Sequence, residues 1–194
     1  MFLNSQKESR SMKDKFDARA IANLVLSEGW GRGLQISNLK LQKLVFLCHA
    51  FLLVEKNRDL VRGDFVAWKY GPVHPDVYDA FKNFRERPID RPAMKVNPVT
   101  EQQIGIAPVE DQDIRDVTSK VVAFYGSWTA AQLVALTHAE KGPWDVVVKA
   151  AMNNANVGLR ISSKIIEQRF KYLWFGAKRE LSAEEPYEDQ PLVA

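Results

Sequence analysis

The side chains best suited to bond-making chemistry are His49, His74, His138 and the single cysteine, Cys48. A metal centre needs three or four ligands at helical or short-loop spacing. Neither H-x-x-x-H, H-E-x-x-H nor C-x-x-C occurs, so no metal and no cofactor is expected. Cys48 adjoins His49, but neighbours on a helix diverge by ~100°, which prevents a nucleophile–base pair. Its apolar flanks, in "LVFLCHAFLLV", also raise the thiol pKa and favour an inert buried cysteine. His49 reads as a core histidine, His74 as a turn or cap residue before Pro75, and His138 as helical. Asp76 and Asp79 stand three apart on a helical stretch, where solvated carboxylates are the ordinary reading. There is no G-x-S-x-G and no G-x-x-x-x-G-K-[ST]. "GWGRGLQ" contains G-x-G without a preceding strand or a third glycine at the required spacing, so it is read as a connector. No catalytic constellation emerges, and a non-enzymatic protein is expected.

The elements that would position these residues are mainly helical. Asp17 is a candidate N-cap for "ARAIANLVLSE", with Gly29 as its stop. Ser37 caps the next helix, residues 37–56, whose second half is apolar nearly all round, as in a helix surrounded by others. "DFVAWKY", residues 64–70, alternates with β-branched and aromatic residues and predicts a short strand ended by Gly71-Pro72. Pro75 opens a helix carrying Val77, Tyr78, Phe81 and Phe84 on one stripe. Residues 85–108 hold four prolines and predict a long excursion, with a second strand near 93–97. A helix over about 109–125 begins acidic, which suits the positive end of its dipole. Thr129 and Gln132 form a capping-box pattern, Gly142-Pro143 begins another helix, and Ser162 starts "SKIIEQRFKYLWF". The expectation is a mainly α fold: one compact domain over 16–177, about seven helices around the central helix. Residues 1–15 and the acidic tail 178–194 are expected to be flexible.

Bulk properties narrow the class further. Apolar residues make up 46% and charged residues 26%, close to globular averages. The net charge of +3 is too small to imply nucleic acid or a membrane by itself. One cysteine forbids an intramolecular disulfide. The longest apolar run falls far short of the ~20 residues that span a bilayer. A soluble, cytoplasmic protein is expected. One region runs against the near-neutral balance: between Lys149 and Arg179 seven basic residues face one acidic residue, Glu167, with Phe170, Tyr172, Trp174 and Phe175 interleaved. Lys164, Arg169 and Lys171 would be the phosphate contacts of a nucleic-acid surface. A solvated helix face is the favoured reading, since no helix-turn-helix pattern accompanies them.

Three blocks, "LKLQKLVFLCHAFLL" (39–53), "DFVAWKYGPVHPDVYDAF" (64–81) and "LTHAEKGPW" (136–144), resemble the Panacea-domain family, which includes SocA-like antitoxins and phage-associated proteins. The resemblance covers roughly Ile21 to Phe175. It implies a mainly helical antitoxin without catalytic activity that neutralises a co-encoded toxin by direct contact. Two alternatives stay open: a proteolytic adaptor delivering the toxin to a cytoplasmic protease, and a DNA-binding regulator using the basic C-terminal helix. Leu39, Leu41, Gln42, Lys43 and Leu44 match the first block; Trp68, Tyr70, Gly71, Pro72, Tyr78 and Phe81 match the second; His138 and Trp144 match the third. The leucines are expected in the core, with Gln42 and Lys43 exposed or paired with the turn. His138 is expected to hydrogen-bond the Trp68–Pro72 corner. Trp68, Tyr70, Pro72, Tyr78, Gln42 and Lys43 are the candidate toxin contacts, because aromatic anchors bury large area at low entropic cost, and the 85–108 excursion is expected to form part of the same surface. The same residues would equally serve as a core corner.

Overall fold

A computed structural model describes residues 15–154 and 158–175. The expected flexible N-terminus and acidic tail lie, but for Lys15, outside the described residues. Helix α1, Ala18–Gly31, starts at Asp17, whose carboxylate accepts from the Arg19 amide. Gly29 does not stop it. It lies buried in the last turn, pressed so closely by Ile36 that a Cβ would have no room. Helix α2, Asn38–Lys56, is capped by the Ser37 hydroxyl and ends on Asn57 in the left-handed region at φ 51°. It is buried from Asn38 to Leu53 but for Lys40 and Phe51, because α1 and the later helices enclose it.

Strand β1, Phe65–Trp68, forms where the alternation predicted one. Gly71-Pro72, however, does not end the sheet. The chain reverses through Lys69 and Tyr70 and returns as β2, Gly71–Val73, pairing Trp68 with Gly71 and Val66 with Val73. The turn is possible because Gly71 adopts φ 108°, a region that side chains avoid. Strand β5, Arg160–Ile161, adds to the other edge of β1, giving the order β2-β1-β5, antiparallel throughout.

Helix α3, Pro75–Phe81, continues through a 3-10 turn, Lys82–Phe84, that buries Phe84. The 85–108 excursion is anchored. Ile89 is buried, its amide donates to the Ile36 carbonyl and its carbonyl accepts from the Trp30 indole. Beyond it β3, Met94–Val96, pairs with β4, Gln103–Gly105, as a two-stranded ribbon.

Helix α4, Gln112–Tyr125, is capped by Asp111. Helix α5, Ala130–Thr137, carries the full Thr129–Gln132 capping box, and α6, Pro143–Asn153, begins at proline. The predicted last helix forms as α7, Ser163–Arg169, and α8, Lys171–Phe175. Phe170 between them keeps helical dihedrals, φ −51° and ψ −41°, so the path is nearly continuous. The described residues thus hold eight α-helices and five short strands, against seven and one or two expected. The chain is mainly α. Helices α1, α3, α4, α5 and α7 and strand β2 pack around α2. None of the described helices is long and apolar enough to cross a membrane.

Candidate functional site

The β1–β2 hairpin is the place where the sequence blocks meet, and its geometry starts from α2. Gln42 and Lys43 are fully buried on that helix and reach toward the hairpin. The Lys43 ammonium donates to the Pro72 carbonyl at 3.1 Å, and the Gln42 carbonyl oxygen accepts from the His74 amide at 2.9 Å. Gln42 also donates to Asn38 at 3.3 Å. Lys43 and the Thr137 hydroxyl close over Gly71, where an added Cβ would stand 3.2 Å from the Lys43 nitrogen and 2.7 Å from the hydroxyl oxygen. Of the two readings for Gln42 and Lys43, the structure takes pairing with the turn. They hold β2 down and present no surface.

The aromatic residues frame the outer side. Trp68 and Tyr78 are half-buried and meet edge-to-face, 4.7 Å between ring centroids. Tyr70 is half-buried at the tip, with the Lys69 ammonium 5.1 Å from its ring centroid. Pro72 is buried. The expected bond from His138 to this corner is made by Trp144, whose indole nitrogen donates to the Trp68 carbonyl at 2.8 Å. His138 instead stacks flat on Trp144, 3.8 Å apart and 8° from parallel. A six-residue offset across the α5–α6 turn places the two rings together, and the longer indole does the reaching. The "GPW" block carried that signal.

The reactive-looking groups are turned inward. Burial pushes the Cys48 thiol up to about 12, which leaves almost no thiolate near neutrality. Burial pushes His49 down to about 4 against the pull of Asp59, and burial together with the Lys43 charge pushes His138 down to about 4. His74 is lowered chiefly by burial. Its Nε2 lies 2.8 Å from the Arg62 carbonyl and is therefore the protonated nitrogen. His49 faces Asp59 at 3.8 Å, and that carboxylate is already held by Lys15 at 2.6 Å and by the Ser163 hydroxyl. Asp76 and Asp79 are exposed, and Asp79 pairs with Lys82 at 2.8 Å. Among the described residues no three His, Cys, Asp or Glu side chains gather as a metal site.

Sequence reading missed the composition of the ribbon. Met94, Val96, Val99 and Ile104 are all exposed, Val99 at 87% and Val96 at 63%. Half of the eight large hydrophobic side chains exposed among the described residues therefore lie between positions 94 and 104; Met94 and Val96 share one face of the ribbon, while Ile104, opposite Lys95, lies on the other. Trp30 is a further exposed member of that set, hydrogen-bonded to Ile89 just before the ribbon. The signal for β4 was faint, because "QIG" is three residues and lacks the β-branched run that would announce a strand.

Residues 41–145 match the family model described as "Antitoxin SocA-like, Panacea domain". This chain belongs to that family. The hairpin corner and the α2 residues that hold it lie inside the matched span. The chain is also 44% identical over 156 residues to Antitoxin SocA of Caulobacter vibrioides (strain NA1000 / CB15N), covering 80% of this chain and 83% of that one. No solved structure matches it. As a Panacea-domain protein it is of antitoxin type, and the expected family is the family found.

Proposed function

We propose that the protein is the antitoxin of a toxin–antitoxin pair and neutralises a co-encoded toxin by binding it, without catalysis. The toxin-facing surface comprises the outer side of the hairpin corner, Trp68, Tyr70 and Tyr78, together with the 94–105 ribbon. The observation that carries this reading is the exposure of Met94 and Val96 on one face of the ribbon, with Val99 at its turn, in an antitoxin-family chain. Pro72, Gln42 and Lys43 act in it as supports, since all three are buried. A rigid backing matters because an interface gains when its anchors are ordered before the partner arrives.

The test is co-expression with the product of the adjacent gene, scored by growth and by affinity capture. Tyr70→Ala and the pair Val96→Asp, Val99→Asp should each abolish rescue and capture, the exposed Val96/Val99 pair while shifting Tm by no more than ~2 °C, because exposed substitutions are nearly neutral for stability. Full rescue by all of these variants would refute the assignment of this surface. If the toxin is cleared from cells only when a cytoplasmic protease is present, neutralisation proceeds by delivery and the protein is an adaptor.

A further inference from the structure

The face of α7 and α8 that turns away from the core is basic, with the Lys171 ammonium 5.2 Å from the Tyr172 ring centroid. Ile166 and Leu173 are buried, and Phe170 packs edge-on against Phe51 at 4.9 Å between centroids. Lys164, Glu167, Gln168 and Lys171 are left exposed, and Arg169 half-exposed. Since Phe170 keeps the helical path, Lys164, Gln168 and Lys171 stand at i, i+4 and i+7 along one line. Other basic residues of this region are matched: Lys149 by Asp145 at 2.9 Å, and Arg160 by Asp64 at 2.8 Å. Among the described residues no carboxylate forms an ion pair with Lys164, Arg169 or Lys171.

The chain that follows passes two further basic residues, Lys178 and Arg179, and then turns acidic. Between positions 180 and 189 stand Glu180, Glu184, Glu185, Glu188 and Asp189, with no lysine or arginine among them. An extended chain from Phe175 to Glu184 reaches ~30 Å, whereas the helical path back from Phe175 to Lys164 covers only ~16 Å. The acidic segment is therefore tethered within reach, at an effective concentration on the order of millimolar.

We propose that the acidic segment 180–189 folds back onto the α7–α8 face and is the occupant of Lys164, Arg169 and Lys171. Charge complementarity and tether length both favour it over an external polyanion, which would have to displace it. The contact is ionic and exposed, so salt weakens it. This inference is separate from the toxin-facing reading, because it uses different residues.

The experiment compares amide NMR spectra of the full chain with a variant in which Glu180, Glu184, Glu185 and Glu188 become Gln and Asp189 becomes Asn. Shift changes should concentrate at residues 163–171, and raising NaCl from about 50 mM to about 500 mM should reproduce them in the unaltered chain. Unmoved resonances at 163–171 would overturn the proposal. Binding of a short fluorescent DNA duplex is measured in parallel. The neutralised variant should bind it several-fold more tightly, and Lys164→Gln, Arg169→Gln, Lys171→Gln added to that variant should remove the gain. Duplex binding equally strong in both forms would make nucleic acid the occupant and also overturn the proposal. Shifts at 163–171 with no duplex binding by either form uphold the intramolecular contact.

Discussion

Gly71 carries the tightest local constraint of the corner. Its φ of 108° and the Thr137 hydroxyl 2.7 Å from the site of a Cβ leave no room for any other residue. Gly71→Ala should cost roughly 2 kcal/mol or more through strain and displacement of Thr137 and Lys43, measured by urea denaturation. An unchanged midpoint would mean that the hairpin relaxes freely. The buried histidines set the pH response. With folded values of about 4 for His49 and His138, against ~6.5 in the unfolded chain, the unfolded state takes up protons first as pH falls. Stability should be complete above about pH 6.5 and decline toward pH 4 by at most ~1.4 kcal/mol per pH unit for each histidine. Denaturation at several pH values checks this, and His138→Gln should flatten the slope. At this scale the sequence showed which residue types matter but not which way they point. Lys43 looked as suited to solvent as to the turn, because the carbonyl it pairs with lies 29 positions away.

At the scale of elements, most helix starts were legible because they depend on neighbours in the chain. Asp17, Ser37, Thr129 and Ser162 each cap the helix they announce, and Pro75 and Pro143 each open one. The strands were harder. Strand β2 contains Pro72, a residue that argues against a sheet interior, and it forms because β2 is an edge strand that pairs with β1 alone. The ribbon is tied to α1 by an Asn23 clamp, with a looser ion pair from Lys95 to Asp17 at 3.7 Å beside it. Asn23 of α1 donates to the Ala93 carbonyl at 3.0 Å and accepts from the Ala93 amide at 2.7 Å. Asn23→Ala should therefore cost only about 1–2 kcal/mol overall but speed hydrogen exchange across residues 93–105. Unaltered exchange there would show that β3 and β4 hold themselves in place. If the ribbon meets the toxin, the same variant should also weaken capture.

For the whole molecule, stability should rest on α2. Phe46 is fully buried and meets Phe65 edge-on at 5.2 Å, while Phe65 in turn contacts His49 and His74. Phe46→Ala should cost about 3–5 kcal/mol and lower Tm without splitting the transition, since α2 touches α1, α3, α4, α5, α7 and β2 alike. A second transition would reveal separable units. The sequence by itself determined the helical class, the central helix, the helix caps and the family, because periodicity and capping are written in residues three or four apart and the motif blocks are long and ordered. Tertiary structure alone decided that Gln42 and Lys43 clamp the hairpin from inside, that Trp144 reaches Trp68, and that the excursion pairs as a β3–β4 ribbon. Those outcomes depend on which distant surfaces meet and exclude water, and local pattern holds no information about such meetings.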